Sequence, residues 1–308
     1  MTGSVVTIQS ESMRVIVIPE LGAQITSLMD SDGHEYLSPG LWPRPDNLPL
    51  SASFNDGGLG GSDDCIPAVA ADIYPNEPYK GQLIPDHGEL WQRPWRVIKS
   101  SSKELIVSID GVFLPYSLVR RMIVNGPILD IEYQLINNGE YDLPIVWASH
   151  PMLVSTSEMT IDFAHSGYLK VEACNMGFEQ DARIPYPIVK ILEQDVDLRS
   201  WKSLPEGFFL KAFSPLPAGS PVRLNYPEWG KTLEITTTAD QPVQLGIWLN
   251  RSGFPLDHPV EHLSIEPTFG SADALTRAMV DNSNLTLRTK SDELWHLSYR
   301  VLDLLNRE

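Results

Sequence analysis

Short runs in which apolar and polar residues alternate recur along the whole chain. They occupy 13–18, 104–109, 118–124, 128–136, 160–163, 221–226, 232–237, 242–250, 285–289 and 295–302. A period of two, rich in β-branched and aromatic residues, predicts half-buried strands. Turn residues bound most of these runs, and Asp110-Gly111, Asn125-Gly126 and Asn138-Gly139 read as hairpin connections. Only two segments carry a helical pattern. In 271–280, Ala272, Leu275 and Met279 share a face with no internal Pro or Gly; in 187–198 the pattern is weaker. The predicted fold is mainly β, a large antiparallel β-sandwich with few short helices, with 1–308 as one domain. It is too long for an immunoglobulin-type sandwich of about 100 residues. The lack of a repeat at fixed period speaks against propellers and solenoids. Residues 37–85 differ, being rich in Pro, Gly, Asp and Asn with little periodicity. A long irregular segment inside a compact domain points to function.

Composition narrows the function classes. The 308 residues include 23 Lys and Arg against 40 Asp and Glu, a net charge of −17. Such a chain repels phosphates, which argues against nucleic acid and against an anionic membrane surface as partner. Gly (21) and Pro (25) punctuate it densely, as many short strands require. Cys65 and Cys174 are the only cysteines, too few for a disulfide framework or a Cys-rich zinc site. Residues 1–9 show no basic region followed by an apolar stretch, and no apolar run approaches the roughly 18 residues of a spanning helix. The expected location is a reducing cytoplasm, where sequons at Asn250 and Asn284 carry no meaning.

Three short sequences place titratable side chains beside Gly or Pro at the ends of extended segments: Pro85-Asp86-His87-Gly88-Glu89-Leu90-Trp91, Trp147-Ala148-Ser149-His150-Pro151 and Ile265-Glu266-Pro267-Thr268. Such positions escape the sheet ladder and can face a cleft. Alone, each has an ordinary role: a turn for His87, a hydrogen-bonded core histidine for His150, a surface charge for Glu266. Together, imidazole and carboxylate make an acid/base pair at neutral pH. Trp91, Trp147 and Trp248 accompany them. Aromatic faces near polar groups suit a sugar ring, although core packing is the commoner role of any single tryptophan.

The order of these motifs resembles the aldose 1-epimerase (mutarotase) family of the galactose mutarotase-like superfamily. Ile18-Pro19-Glu20-Leu21-Gly22-Ala23 is similar to the family's opening hairpin, and Gly60-Gly61-Ser62-Asp63-Asp64-Cys65-Ile66-Pro67 with Asp86-His87-Gly88 to its central segment. Asn137-Asn138 with Trp147 to Pro151, and Trp248, His262, Glu266-Pro267, Asp273 and Leu275, are similar to its later signatures. The resemblance spans nearly the whole chain. It implies a β-supersandwich with a sugar cleft on the concave sheet. It also implies Glu266 as general base, His150 as general acid and His87 as a further site histidine contacting the sugar near its reacting end. The reaction it implies is interconversion of α and β anomers, with no metal and no cofactor. Better-known members carry an Arg shortly before the first histidine. Here 54–84 contains no Arg and only Lys80 as a basic residue, the nearest upstream Arg being Arg44. Asp63, Asp64 or Asn55 is left to bind hydroxyls, and the family's mid-chain aspartate has no assignable counterpart.

Other motifs are set aside. His258-Pro259-Val260-Glu261-His262 matches an H-x-x-E-H zinc pattern, but Pro255, Pro259 and the extended residues that follow leave no helix to align the two histidines. Gly58-Leu59-Gly60-Gly61 lacks the Lys-Ser/Thr of a phosphate loop and reads as a turn. Ser149 and His150, adjacent on a strand, face opposite ways. Arg120-Arg121 reads as a surface pair. The expected function is an anomer-interconverting enzyme acting on a small sugar, with Glu266, His150 and His87 catalytic and Asp63, Asp64, Trp91, Trp147 and Trp248 binding substrate. The alternatives are a non-catalytic carbohydrate-binding protein on the same scaffold, or another sugar-processing enzyme. The sequence leaves the oligomeric state open.

Overall fold

The structure, a computed structural model, describes residues 4–41, 43–45 and 48–304. The remaining positions of the 1–9 and 37–85 segments read above lie outside the described residues. Two large antiparallel sheets dominate. The ten-stranded sheet runs, in spatial order, Val6–Gln9, Met13–Ile18, Gln24–Asp30, Ser62–Cys65, Ala148–Leu153, Glu261–Thr268, Val243–Arg251, Phe208–Leu216, Tyr168–Cys174 and Arg183–Pro185. The eight-stranded sheet runs Thr160–Asp162, Val222–Tyr226, Lys231–Ala239, Asp292–Asp303, Ile128–Asn137, Tyr116–Asn125, Glu104–Asp110 and Arg96–Ser100. Strands of the second sheet alternate buried and half-buried positions, as in Tyr116–Asn125, so one face packs on the core and the other meets water. The main apolar core lies between the sheets, with Leu263, Ile265, Leu245 and Ile247 from one and Leu118, Tyr133, Leu297 and Tyr299 from the other. No helix among the described residues is long and apolar enough to cross a membrane.

Three local expectations need correction. Residues 187–198 form a hairpin, Ile188–Ile191 paired with Gln194–Asp197. Leu192 and Glu193 both take positive φ in the two-residue turn, and Val189, Ile191 and Val196 are buried. The predicted helix 271–280 shrinks to Leu275–Val280. Its first residues are held in a loop: the Ser271 amide donates to Ser283 Oγ, and the Asp273 carbonyl accepts from the amides of Val69 and Ala70. Asn138-Gly139 does not join paired strands, since Leu143–Ile145 pairs with Leu285–Leu287 instead. Asn125-Gly126 does close a hairpin, and Asp110-Gly111 opens the longer connection between two paired strands.

A polar tie crosses the apolar interlayer. Asp64, on Ser62–Cys65, accepts hydrogen bonds from Arg120 Nη1 at 2.5 Å, Tyr133 OH at 3.0 Å and Trp147 Nε1 at 3.1 Å. Arg120 and Tyr133 belong to the opposite sheet. Arg120 also donates to the Ala23 carbonyl and lies 4.9 Å from the Trp95 ring centroid. Arg120 is therefore no surface residue. The two-residue period sends it inward and Arg121 outward to Glu104 and Glu132. Removing one partner of a buried pair strands the other charge, at about 3–5 kcal/mol. Asp64→Ala is expected to lose stability on that scale in urea unfolding, whereas Arg121→Ala should leave the midpoint almost unchanged.

Candidate active site

A cavity of about 240 Å³ opens on the face of the ten-stranded sheet that turns away from the second sheet. Its floor comes from four adjacent strands. On Glu261–Thr268, Leu263 and Ile265 enter the core while His262 and Glu266 line the cavity. The same alternation puts Trp248 of Val243–Arg251, Lys211 of Phe208–Leu216 and His150 and Met152 of Ala148–Leu153 on the cavity side. Ser149 points the other way, to Tyr299 OH at 3.3 Å. Ala148 pairs with Thr268 and Met152 with Ser264, a register that sets His150 opposite Glu266. His150 Nε2 is 3.6 Å from Glu266 Oε1. Lys211 pairs across with Trp248, and its ammonium reaches diagonally to Glu266 Oε2 and, at 3.5 Å, to Asp273 Oδ1.

One wall comes from the irregular segment. His87 sits at φ +58° before Gly88 at +73°, and its amide donates to the Val69 carbonyl at 2.7 Å. A Cβ on Gly88 would lie 2.0 Å from the Ile66 carbonyl oxygen, so only glycine lets the turn come this close. The His87 ring stacks on Phe54 with centroids 3.9 Å apart and meets His150 edge-on at 4.8 Å. Asp86 Oδ1 holds His87 Nδ1 at 2.8 Å, while Oδ2 accepts the Phe54 amide at 2.8 Å. Burial pushes the Asp86 carboxyl up, but the His87 hydrogen bond and charge and the Phe54 amide outweigh it and hold it below the ordinary value.

Electrostatics differ sharply between the site groups. Burial, with the charges of His87 and Lys211, pushes His150 well below the ordinary histidine value. Burial pushes His262 down to about 4. Lys211 is the opposite case: burial disfavours its charge, yet Asp273 and Glu266 more than compensate and raise it. Asp273 is raised by burial and by Glu266 against the pull of Lys211. Behind it, burial and then Asp273 lift Glu172 to about 7 despite its pairing with Arg277. Trp248 Nε1 and Asn250 Nδ2 both approach His262 Nδ1, at 3.3 and 3.4 Å. An indole N–H only donates, so Nδ1 accepts and the neutral ring carries its proton on Nε2. His262 Nε2, His150 Nδ1, Glu266 Oε1 and Asp273 Oδ1 are all buried without a hydrogen-bond partner. Four unmatched buried polar atoms around one cavity are what a polar ligand would satisfy.

The structure thus brings His87, His150, Glu266 and Trp248 together and leaves four other expected residues outside the cavity lining. Asp63 is closed off by Arg44, at 2.6 Å, and by Gln24. Asp64 and Trp147 belong to the inter-sheet tie. Trp91 is fully buried behind the wall, where it supports Phe54 edge-on and donates to the Asp86 carbonyl. Asn55, the third candidate for hydroxyl contacts, does line the cavity. Lys211 is the principal residue that sequence reading missed. A lone lysine within Phe208-Phe209-Leu210-Lys211-Ala212-Phe213 was the available signal, since a strand this apolar buries its charge. His262 entered as half of the zinc pattern and as part of the family's later signature, without a role of its own. His258 precedes the strand in a loop, and the two histidines share no helix.

No protein-family model matches the chain, and no curated protein sequence matches it. Solved structures do. A GalM/aldose epimerase homologue from C. elegans superposes with a TM-score of 0.70 at 15% identity, covering 99% of this chain and 100% of that one. The fold is that of galactose mutarotase-like proteins. A galactose mutarotase-like protein from Lactobacillus casei gives 0.70 at 14% identity, over 97% and 100% of the two chains. A galactose mutarotase related enzyme from Lactobacillus acidophilus gives 0.68 at 13%, over 98% and 99%.

His262 supplies a stability test. The unfolded chain takes up its proton near the ordinary 6.5, the folded chain only near 4. The unfolded state therefore binds more protons between these values, and stability falls as pH drops through them, by up to about 3 kcal/mol for this group. Urea unfolding at pH 7 and pH 4 should show a shallower loss for His262→Gln than for wild type.

Proposed function

We propose that this chain is an aldose 1-epimerase-like isomerase that interconverts the anomers of a small neutral sugar by acid/base catalysis. The observation that carries this reading is the facing pair on the cavity floor: Glu266 Oε1 and His150 Nε2, 3.6 Å apart, with Oε1 otherwise unpartnered. The two oxygens that exchange protons in ring opening sit on one carbon, so a base and an acid must stand this close together. Glu266 takes the C1 hydroxyl proton and the C1–O bond to the ring oxygen breaks. The ring oxygen receives a proton from His150, and C1 becomes an aldehyde. Rotation about C1–C2 and the reverse transfers close the ring on the other face and return both protons. Proton transfers complete this cycle, so the reading calls on no cofactor. The cytoplasm is its proposed location.

The size and charge of the cavity support the substrate class. About 240 Å³ is below the roughly 300–1,000 Å³ of pockets for drug-sized ligands, which suits a monosaccharide. The carboxyl groups of Asp86, Glu266 and Asp273 face it against the Lys211 ammonium, which two of them already engage. A uronic acid or sugar phosphate would enter beside carboxylates with no unengaged ammonium or guanidinium among the described lining residues.

Glu266→Gln keeps shape but takes no proton, and His150→Asn gives none near neutral pH. Each is expected to lower kcat for anomer exchange by about 10²-fold or more, roughly 2.7 kcal/mol of transition-state stabilisation, in protein that thermal melting shows to be folded. Exchange-transfer NMR or polarimetry reads this. Full turnover in folded Glu266→Gln would rule the mechanism out, and binding without exchange in wild type would make the chain a carbohydrate-binding protein. The pH profile has a definite sign. The acid must be protonated, and burial with Lys211 lowers the His150 value, so kcat/KM should decline with rising pH along a limb that lies below 6.5. Neutral aldoses should exchange faster than their 6-phosphates or uronic acids.

A further inference from the structure

The base on the cavity floor is held by a partner that the acid/base reading does not use. Lys211 donates to Oε2 of Glu266, and Oε1 is the oxygen that faces His150. A carboxylate is symmetric, so nothing in Glu266 itself selects this orientation. The strand register explains how the lysine reaches it. Phe213 pairs with Gly246, and Gly246 with Glu266, in one row across three strands. Lys211 lies one step along, opposite Trp248, so its ammonium must cross position 246 diagonally to meet Glu266. That position is empty of side chain. A Cβ there would lie 3.2 Å from Glu266 Cβ, 3.3 Å from Glu266 Oε2 and 3.3 Å from the Phe213 ring. Gly246 needs no unusual backbone conformation, so the space it leaves is its distinguishing feature. Asp273, 3.5 Å from Lys211, holds the ammonium from its other side.

We propose that Lys211 is a positioning residue for the base: seated between Asp273 and Glu266 through the gap at Gly246, it ties one carboxylate oxygen and aims the other at His150 and the sugar C1 hydroxyl. This rests on the acid/base reading for its catalytic consequence, but the orientation of Glu266 is a property of the protein alone. Lys211 is no nucleophile here, since its two carboxyl neighbours keep it an ammonium. Its contribution is geometric and electrostatic, and a misplaced base costs on the order of 10²-fold.

The test compares Lys211→Ala and Lys211→Met with wild type and Glu266→Gln, each first shown to fold by thermal melting. Crystal structures of the two variants are expected to show the Glu266 carboxylate rotated away from His150. Kinetically, each should lose about 10²-fold in kcat with KM changed little, and ethylammonium should restore at least 10-fold to Lys211→Ala by refilling the vacated volume. Lys211→Met, which keeps the apolar stem and loses the ammonium, keeps the test decisive if Lys211→Ala does not fold. Wild-type orientation of Glu266 in a folded variant overturns the proposal, as does wild-type kcat. A loss confined to KM also overturns it, making Lys211 a sugar contact. If wild type itself exchanges no anomer, the activity reading falls while the crystal structures still decide the role of Lys211.

Discussion

The two-residue period of strands buried on both faces governs this molecule. In Glu261–Thr268 every residue after the first is buried, yet the two faces have nothing in common chemically. Leu263 and Ile265 complete the apolar interlayer, and His262 and Glu266 form the floor of a cavity. Because side chains alternate strictly, the core specifies the site: a one-residue slip would drive Glu266 into the interlayer and Ile265 into the cavity. Apolar packing thus enforces the register that sets His150 opposite Glu266, without any direct interaction having to do so.

The ten-stranded sheet carries two kinds of buried charge. Asp64 faces inward and is satisfied three times over, by Arg120, Tyr133 and Trp147, with all partners in the interior. Such a group ties layers together and has no capacity left. Glu266, two strands away on the opposite face, has one oxygen engaged and one idle, and Asp273 Oδ1 has only the longer contact with Lys211. An unsatisfied buried acceptor costs about 1–3 kcal/mol, a penalty that ligand hydroxyls would relieve on binding. The difference in satisfaction, rather than in residue type or burial, separates the structural carboxylate from the candidate functional ones.

Legibility in the sequence followed the same division. Strands of the eight-stranded sheet, half exposed, showed their period plainly, so 118–124, 128–136 and 232–237 were read close to their observed bounds. Two floor strands of the site, Ala148–Leu153 and Phe208–Leu216, were not read, because His150 and Lys211 occupy positions of the apolar pattern and Pro151 and Pro215 interrupt it, whereas Val243–Arg251 was read as 242–250. His87, His150 and Glu266 were legible from their short motifs. Lys211 was not, since its role exists only through the cross-strand row that includes Gly246. Asp63 and Asp64 misled because adjacent acids on one strand look alike in sequence, although one is covered by Arg44 on the outer face and the other meets Arg120 in the core. The 187–198 segment misled for want of tertiary information: Leu192 and Glu193 do not announce a positive-φ turn.

Lys211 acts on both partners of the candidate acid/base pair, in opposite senses. Its ammonium orients Glu266, and the same charge, with burial and His87, makes a proton on His150 unfavourable. The cavity therefore holds an aimed base beside a histidine short of the proton that a general acid must carry. Moving Lys211 farther away would ease the second effect only by surrendering the first, because both act through the same few ångströms. Asp273 moderates this conflict: engaged with Lys211, its carboxyl group offsets part of the ammonium's charge. A cavity that kept the ammonium without that counter-charge would orient its base at greater expense to its acid. On this account the Asp273–Lys211–Glu266 row acts as one electrostatic unit, and a substitution at any member changes the charge seen by the other two.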